Sequence, residues 1–323
     1  MTVLVIGGAG YIGSHVVTQL LDEGSALAAV DDLSTGVAER IAGIPTLGID
    51  VASDRAPAEM ARFMRAHDVD AVIHFAALKR VPESVAEPAR YYRQNVGGLA
   101  NVIEAMTEAG VRRLVFSSSA AVYGQGTGAP AREDDALRPI NPYGETKLVG
   151  EWLVADAVRA GVLDAVCLRY FNVAGARDAL RADRFAQNLV PMIIERLRRG
   201  EGARIFGDDY ATSDGTCVRD YIHVVDLADA HLRVLDALAD GRTVPAALNV
   251  GTGRGYSVRE VIDAVARVSG IAIEPVVEPR RAGDPADLIA DARLITESLG
   301  WHARHDLDDM VESAWRFAGE LTA

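Results

Sequence analysis

Val3-Leu4-Val5-Ile6-Gly7-Gly8-Ala9-Gly10-Tyr11-Ile12-Gly13-Ser14 stands almost at the start of the chain. Four apolar residues in a row predict a short strand buried on both faces, because a strand with one wet face would alternate. The glycines follow directly. From Ser14 to Glu23, the residues Val16, Val17, Leu20 and Leu21 fall on one helical face, and Gly24 suits the C-cap. Strand, glycine loop and helix in that order are the setting in which a glycine triplet carries meaning. The glycines permit a tight turn and let backbone N–H groups at the helix N-terminus approach a pyrophosphate. Gly7, Gly10 and Gly13 thus predict a dinucleotide site.

Leu27 to Val30 predicts the second strand, ending in Asp31-Asp32. Asp31 lies 18 residues beyond Gly13, where a carboxylate accepts hydrogen bonds from adenosine ribose hydroxyls. Its charge repels a 2′-phosphate, which favours NAD over NADP. Asp is also common at strand ends as a turn residue; the fixed position within the motif favours the ligand reading. Further on, Asp50-Val51 ends a strand-like segment, and Arg55 to Ala66 reads as a helix. Ala71 to Ala77 reads as a strand running into small residues, as beside a ligand crevice. His74 within it is expected to be a satisfied strand histidine. Arg90 to Ala109 reads as one long helix carrying Asn95, and Leu114-Val115-Phe116 leads into Ser117-Ser118-Ser119. This alternation predicts an α/β, Rossmann-type, doubly wound parallel sheet. After Asn172 the pattern changes, with helices expected at 188–198, 226–238, 258–269 and 307–317. We expect a dinucleotide-binding domain over 1–172, with segments about 218–250 returning to it. A smaller α/β substrate-binding domain over 173–323 would interleave with it.

The 323 residues allow one large or two modest domains. A net charge of −13 argues against nucleic acid or an anionic membrane surface as a partner. No apolar run reaches the length of a membrane span. Cys167 and Cys217 alone imply no disulfide framework, and no metal motif is present. A cytoplasmic protein is expected. Residues 1–6 lack a basic flank and predict a strand, not a signal peptide.

Asn141-Pro142-Tyr143-Gly144-Glu145-Thr146-Lys147 adds the chemistry. Pro142 suits the first turn of a helix, and the run to Ala160 reads helical, with Gly161 as a stop. Tyr143 and Lys147 then share a face. A nearby ammonium favours phenolate, so the pair can take a proton from an alcohol or return it. Alone, the spacing is equally that of a surface helix.

Together, Gly7-x-x-Gly10-x-x-Gly13, Asp31, Ser119 and Tyr143-x-x-x-Lys147 resemble the extended short-chain dehydrogenase/reductases. Longer strings narrow the resemblance to the UDP-glucose 4-epimerase family. They are Gly7 to His15, His74 to Lys79, Phe116 to Gly124, Asn141 to Gly144, Arg169-Tyr170-Phe171-Asn172 and Val218 to Val224. The resemblance covers essentially the whole chain. It implies tightly held NAD and interconversion of UDP-glucose and UDP-galactose through a transient 4-keto sugar. UDP-N-acetylglucosamine or a UDP-pentose are the alternative main substrates. A non-catalytic NAD-binding sensor is a reading of another class, and such a protein has no need of Tyr143 and Lys147.

By the same resemblance, Tyr143 takes the C4 hydroxyl proton as phenolate. Lys147 lowers its pKa and holds the nicotinamide ribose, and Ser119 bonds the C4 oxygen or relays its proton. Further cofactor contacts are implied at Tyr11, Ile12, Asp32, Ser34, Asp50 and Val51. Others are implied at Phe75, Ala76, Ala77, Lys79 and Asn95, and at Ser117, Tyr170 and Phe171. Substrate contacts are implied at Asn172, Asn188, Leu189, Phe206, Arg219 and Tyr221, and at Arg281, Asp284 and Leu288, beside Lys79, Ser119 and Tyr143. Arg219 and Arg281 supply the local positive charge that a UDP diphosphate needs in an acidic chain. A homodimer is implied, pairing the helices around 95–109 and 143–160.

Three departures stand out. Ile6 occupies a place where Thr is usual and Gln94 one where Asn is expected, either of which would loosen a cofactor contact. Leu288 stands where glucose-restricted members tend to carry Tyr, so the pocket is predicted to admit a 2-N-acetyl group unless a neighbour fills it. The related dehydratases carry an acid pair after the serine or threonine; here Ala120-Ala121 follows Ser119, so water loss lacks its catalyst.

Overall fold

The computed structural model describes residues 1–185, 188–281 and 284–320. Strand β1 (Thr2–Ile6) feeds helix α1 (Tyr11–Asp22) through the glycine loop, and β2 (Ala26–Val30) follows. Helix α1 starts inside the motif, three residues before the predicted start, with Gly10 as its extended N-cap. β3 (Thr46–Leu47) comes earlier than the strand expected to end at Asp50-Val51. Asp50 turns the chain instead: its carboxylate accepts the Ala52 N–H at 2.9 Å and its carbonyl accepts the Ser53 N–H. Such local bonds compete with strand pairing.

Helix α2 (Ala56–Ala66), strand β4 (Val69–His74) and short helices α3 (Val81–Ala86) and α4 (Pro88–Tyr91) come next. The single helix expected over 90–109 is α4, a π-helical turn over Tyr92–Gly97 and then α5 (Gly98–Ala109). Strand β5 (Arg113–Ser117), helix α6 (Pro142–Arg159) and strand β6 (Asp164–Tyr170) follow. Pro142 occupies the first turn of α6 as expected, and the Asn141 side chain caps it by accepting the Gly144 N–H at 2.9 Å.

At Phe171 the chain leaves this layer. β7 (Asn172–Ala174), α7 (Leu189–Arg198), β8 (Arg204–Phe206) and β9 (Val218–His223) lie beyond it, while α8 (Val224–Ala239) and β10 (Ala247–Val250) come back. β11 (Gly255–Ser257), α9 (Val258–Ser269), β12 (Val276–Glu278), β13 (Asp287–Leu288), α10 (Arg293–Leu299) and α11 (Leu307–Glu320) complete the described chain.

The large sheet runs β3-β2-β1-β4-β5-β6-β10, with every neighbouring pair parallel. Its strands alternate between two cores, which explains their unbroken apolar runs. Val3 and Val5 pack with Val16, Val17 and Leu20 of α1 and Leu227 of α8. Leu4 and Ile6 pack with Met60 and Met64 of α2 and Leu99 of α5. Each such side chain contributes about 1.5–3 kcal/mol when fully buried. Ile6 therefore serves the core, which accounts for its standing in place of Thr.

The second sheet centres on β9, which pairs with β7 and β13 in parallel and with β11 antiparallel; β8 and β12 form a parallel pair. The return to the large layer thus runs over 224–250, because 218–223 is taken up by this small sheet. A third core, with Ile193 and Ile194 of α7, Val261 and Val265 of α9 and Met310 of α11, lies on that side. Because the large sheet is parallel, the loops after β1, β2, β4, β5 and β6 all leave from one edge, where ligands of such sheets bind. Among the described residues, no helix is long and apolar enough to cross a membrane.

Candidate active site

The loop after β1 is built for close approach. Gly7 has φ +83°, and a Cβ there would lie 2.8 Å from the Ala76 nitrogen; a Cβ at Gly13 would lie 2.1 Å from the Gly7 carbonyl oxygen. Helix α1 has no side-chain cap at Gly10, so its first-turn N–H groups are left for an outside acceptor. Asp31 sits beside them. Its carboxylate accepts the N–H groups of Ala9 and Leu33, each at 2.9 Å, and is buried. Burial pushes its pKa up, and the bonds from Leu33 and Ala9 pull it back. Each oxygen keeps a lone pair for a further donor. Asp32 is exposed and accepts from the Ser34 hydroxyl at 2.6 Å. Asp50 receives a hydrogen bond from Gln94 Nε2 at 2.7 Å, so Gln94 steadies a predicted cofactor contact instead of loosening one.

The catalytic candidates meet where β5 ends. Lys147 is buried, and its Nζ donates to the Ser117 carbonyl oxygen at 2.8 Å. Tyr143, one turn earlier on α6, is buried and near enough to Ser119 for that hydroxyl to bear on its phenol. The Ser119 hydroxyl also accepts the Ala121 N–H at 3.2 Å. The expected easing of Tyr143 ionisation by Lys147 has to work against burial of both groups. Burial raises the Tyr143 pKa, and the bond from Ser119 is what opposes it. Burial also pulls Lys147 down to about 8, while Glu151 and Cys167 oppose that shift. Desolvation disfavours the charged form of each group.

The surrounding candidates fall into two groups. Tyr170 neighbours Ser117 and Tyr143, and burial pushes its phenol well up. Ser117 Oγ lies 3.1 Å from His231 Nε2, and the His231 ring packs on Phe75 at 4.7 Å. Asn95, held in the π turn, accepts the Leu78 N–H at 2.8 Å and donates to the Leu78 carbonyl and Thr146 hydroxyl, both at 3.0 Å. Val51 is core, Ala77 is half-buried and Lys79 is exposed. His74 departs from expectation: it is buried, neutral with its pKa near 3, and its Nδ1 has no partner among the described residues.

The second group lies on the small sheets. Registers β7–β9 and β13–β9 set Asn172 beside Tyr221 and Leu288 beside Arg219. Asn172 hydrogen-bonds Tyr221, and Arg219 donates to the Val218 carbonyl at 2.8 Å. The Arg281 guanidinium stacks 3.6 Å from the Phe206 ring centroid. Asn188 donates to Asp183 at 2.9 Å, Leu189 packs on the third core, and Asp284 acts electrostatically on Tyr210. Leu288 is 9% exposed and packs with Ala120, Tyr123, Leu148 and Phe171. That cluster joins the two groups. The sequence reading passed over Glu151, Arg169, Thr146 and His231; the signal available for Glu151 was its place one turn beyond Lys147.

These features define a class, and comparison with known proteins agrees with it. The chain belongs to the NAD dependent epimerase/dehydratase family, whose model matches residues 3–251. It is 48% identical to a UDP-glucose 4-epimerase of Azospirillum brasilense, over 97% of this chain and 90% of that one. A UDP-glucose 4-epimerase structure from Stenotrophomonas maltophila, with bound NAD and formylated UDP-arabinopyranose, is 42% identical. It superposes with a TM-score of 0.94 and covers 100% of this chain and 99% of that one. A UDP-Glc/GlcNAc 4-epimerase structure from Campylobacter jejuni is 36% identical with a TM-score of 0.84, over 99% of each chain.

Replacing Asn95 by Ala strands the Leu78 N–H and carbonyl at once. A loss of about 1–3 kcal/mol is expected, read by urea unfolding against the parent. An unchanged midpoint would mean that Asn95 does not hold this corner.

Proposed function

We propose that the chain interconverts UDP-glucose and UDP-galactose by inverting the sugar's C4 centre, with NAD as cofactor. The observation that carries this reading is the buried Tyr143, within reach of Ser119, beside a buried Lys147 ammonium that donates to the Ser117 carbonyl at the end of β5. The glycine cradle, the uncapped start of α1 and the Asp31 carboxylate suit a dinucleotide. Bound NAD supplies the reversible hydride acceptor that lets C4 pass through a ketone and be reduced from its other face.

The chain's own groups do the rest. Tyr143 takes the proton of the C4 hydroxyl and gives it back. Ser119 holds the C4 oxygen and stabilises the phenolate. The Lys147 ammonium has three N–H donors, and Ser117 occupies one; the others serve the nicotinamide ribose. Burial of Tyr143, Lys147 and Tyr170 keeps water from the site and strengthens each of these interactions. Arg219 and Arg281 meet the diphosphate, and Asn172, Asn188 and Asp284 orient the UDP-sugar. In this division, residues 1–172 with 224–250 bind NAD and the remainder binds the UDP-sugar. Two free, buried cysteines suit a reducing, cytoplasmic setting.

Two finer readings have observations of their own. Leu288 packs beside the turn that follows Ser119, and a leucine there leaves more room than a tyrosine, so UDP-N-acetylhexosamines are proposed as second substrates. Trp152 is 58% exposed on α6, and Tyr92 and Val158 are also exposed; a homodimer would cover this strip.

Tyr143→Phe is expected to lower UDP-galactose turnover by at least about 100-fold, while NAD still co-purifies and the melting curve is kept. Parent-like turnover in that variant would remove the mechanism. For the pocket, the parent should convert UDP-N-acetylgalactosamine and Leu288→Tyr should lose that activity alone; a parent inert to this substrate ends the idea. For the dimer, light scattering should give twice the chain mass, with Trp152→Glu monomeric; a monomeric parent at micromolar concentration argues against it.

A further inference from the structure

One turn beyond Lys147 on α6, Glu151 is buried with Arg169 of β6. Arg169 Nε donates to Glu151 Oε1 at 2.9 Å and its Nη2 to Oε2 at 2.7 Å, while the Ser118 hydroxyl donates to Oε1 at 2.5 Å. Arg169 also donates to the Tyr123 hydroxyl at 3.0 Å and the Glu133 carbonyl at 3.1 Å. Nothing in the proposed reaction uses this pair, yet it costs desolvation of two full charges. Its neighbourhood gives a reason.

Around Lys147, α6 presents Tyr143 and Glu151, β4 presents His74, and β6 presents Cys167 and Arg169. Strand β5 presents the Ser117 carbonyl and the Phe116 ring, whose centroid is 5.1 Å from Nζ. His74 and Cys167 are neutral near pH 7, since burial moves their pKa values down and up respectively. Among the described residues, Glu151 is therefore the carboxylate that bears on the ammonium. Arg169 and Ser118 hydrogen-bond the carboxylate, which acts on Lys147 as a field.

We propose that the Glu151–Arg169 pair is a positioning element for Lys147, with the Glu151 carboxylate keeping the buried amine charged and Arg169 keeping that carboxylate in place. The catalytic consequence rests on the proposed function; the electrostatic claim does not.

The chain has only two lysines, Lys79 and Lys147, so lysine labelled with 13C at Cε gives two resonances, assigned with Lys79→Arg. Lys147 in the parent is expected to titrate near 8. Glu151→Gln should lower that midpoint by about one pH unit, and Arg169→Met should raise it, because the guanidinium's opposing positive charge is removed. The alkaline limb of kcat for UDP-galactose should move with each midpoint. A packing role would leave the midpoints in place or move both the same way, and either result overturns the proposal. If a single variant is recovered unfolded, Glu151→Gln with Arg169→Gln strands no charge. Its Lys147 midpoint should fall, by less than in Glu151→Gln, and an unmoved midpoint there also overturns the proposal. A parent inactive on UDP-galactose would remove the functional reading alone, with the titration still deciding this one.

Discussion

Lys147 holds a full positive charge where almost no water reaches. It is 4% exposed, and its ammonium has one hydrogen-bond partner among the described residues, the Ser117 carbonyl at 2.8 Å. Burying an ammonium costs several kcal/mol unless the surroundings compensate. Much of the architecture around the site is that compensation. Strand β5 ends so that a carbonyl faces the amine, the Phe116 ring lies beneath it, and a carboxylate stands one helical turn away. What remains uncompensated is reactivity: an ammonium with spare donors, beside a phenol, in a dry site.

The overall charge of −13 appears to contradict a ligand with four phosphoryl charges between cofactor and substrate only if charge is averaged over the surface. The anion-binding groups are concentrated where the strands end. Backbone N–H groups at the start of α1 carry no formal charge and add nothing to the net total. Arg219 and Arg281 stand on or beside the small sheets. The same division explains why Asp31 can be buried beside the glycine loop: two backbone donors hold it.

The sequence was legible wherever a function is carried by local spacing. The glycine loop, the Asp31 position, the Tyr143–Lys147 face and the alternation of strands and helices all follow from residues close along the chain. Features set by distant packing were not. The π turn at Tyr92–Gly97 adds one residue to a helical ladder and leaves no periodic mark, yet it delivers Asn95 to Leu78. Asp50 reads as a strand end until its own turn bonds are seen. β9 (VRDYIH) carries Arg219, Asp220 and His223 among its apolar residues, and its partners assign it to the small sheet. The burial that raises the Tyr143 pKa was not legible for a related reason. Sequence reports that a cation is near, but burial depends on everything packed around the pair.

How α6 comes so near the sheet completes the argument. A Cβ at Gly144 would lie 2.6 Å from the Ala121 carbonyl oxygen, and one at Gly150 would lie 2.8 Å from the Phe116 ring. These two glycines flank Lys147 on α6, and both face the segment running from β5 through Ser119 to Ala121. Glycine is a poor helix former, costing about 1 kcal/mol against alanine at each place. In return the helix approaches until Lys147 reaches the Ser117 carbonyl and Tyr143 reaches Ser119. A helix with ordinary side chains at those positions would stand further off, and water would enter between amine and strand. The ammonium would then be cheap to bury and too well solvated to act on its neighbours. The helix therefore gives up intrinsic stability at Gly144 and Gly150 so that Lys147 and Tyr143 can close on the end of β5.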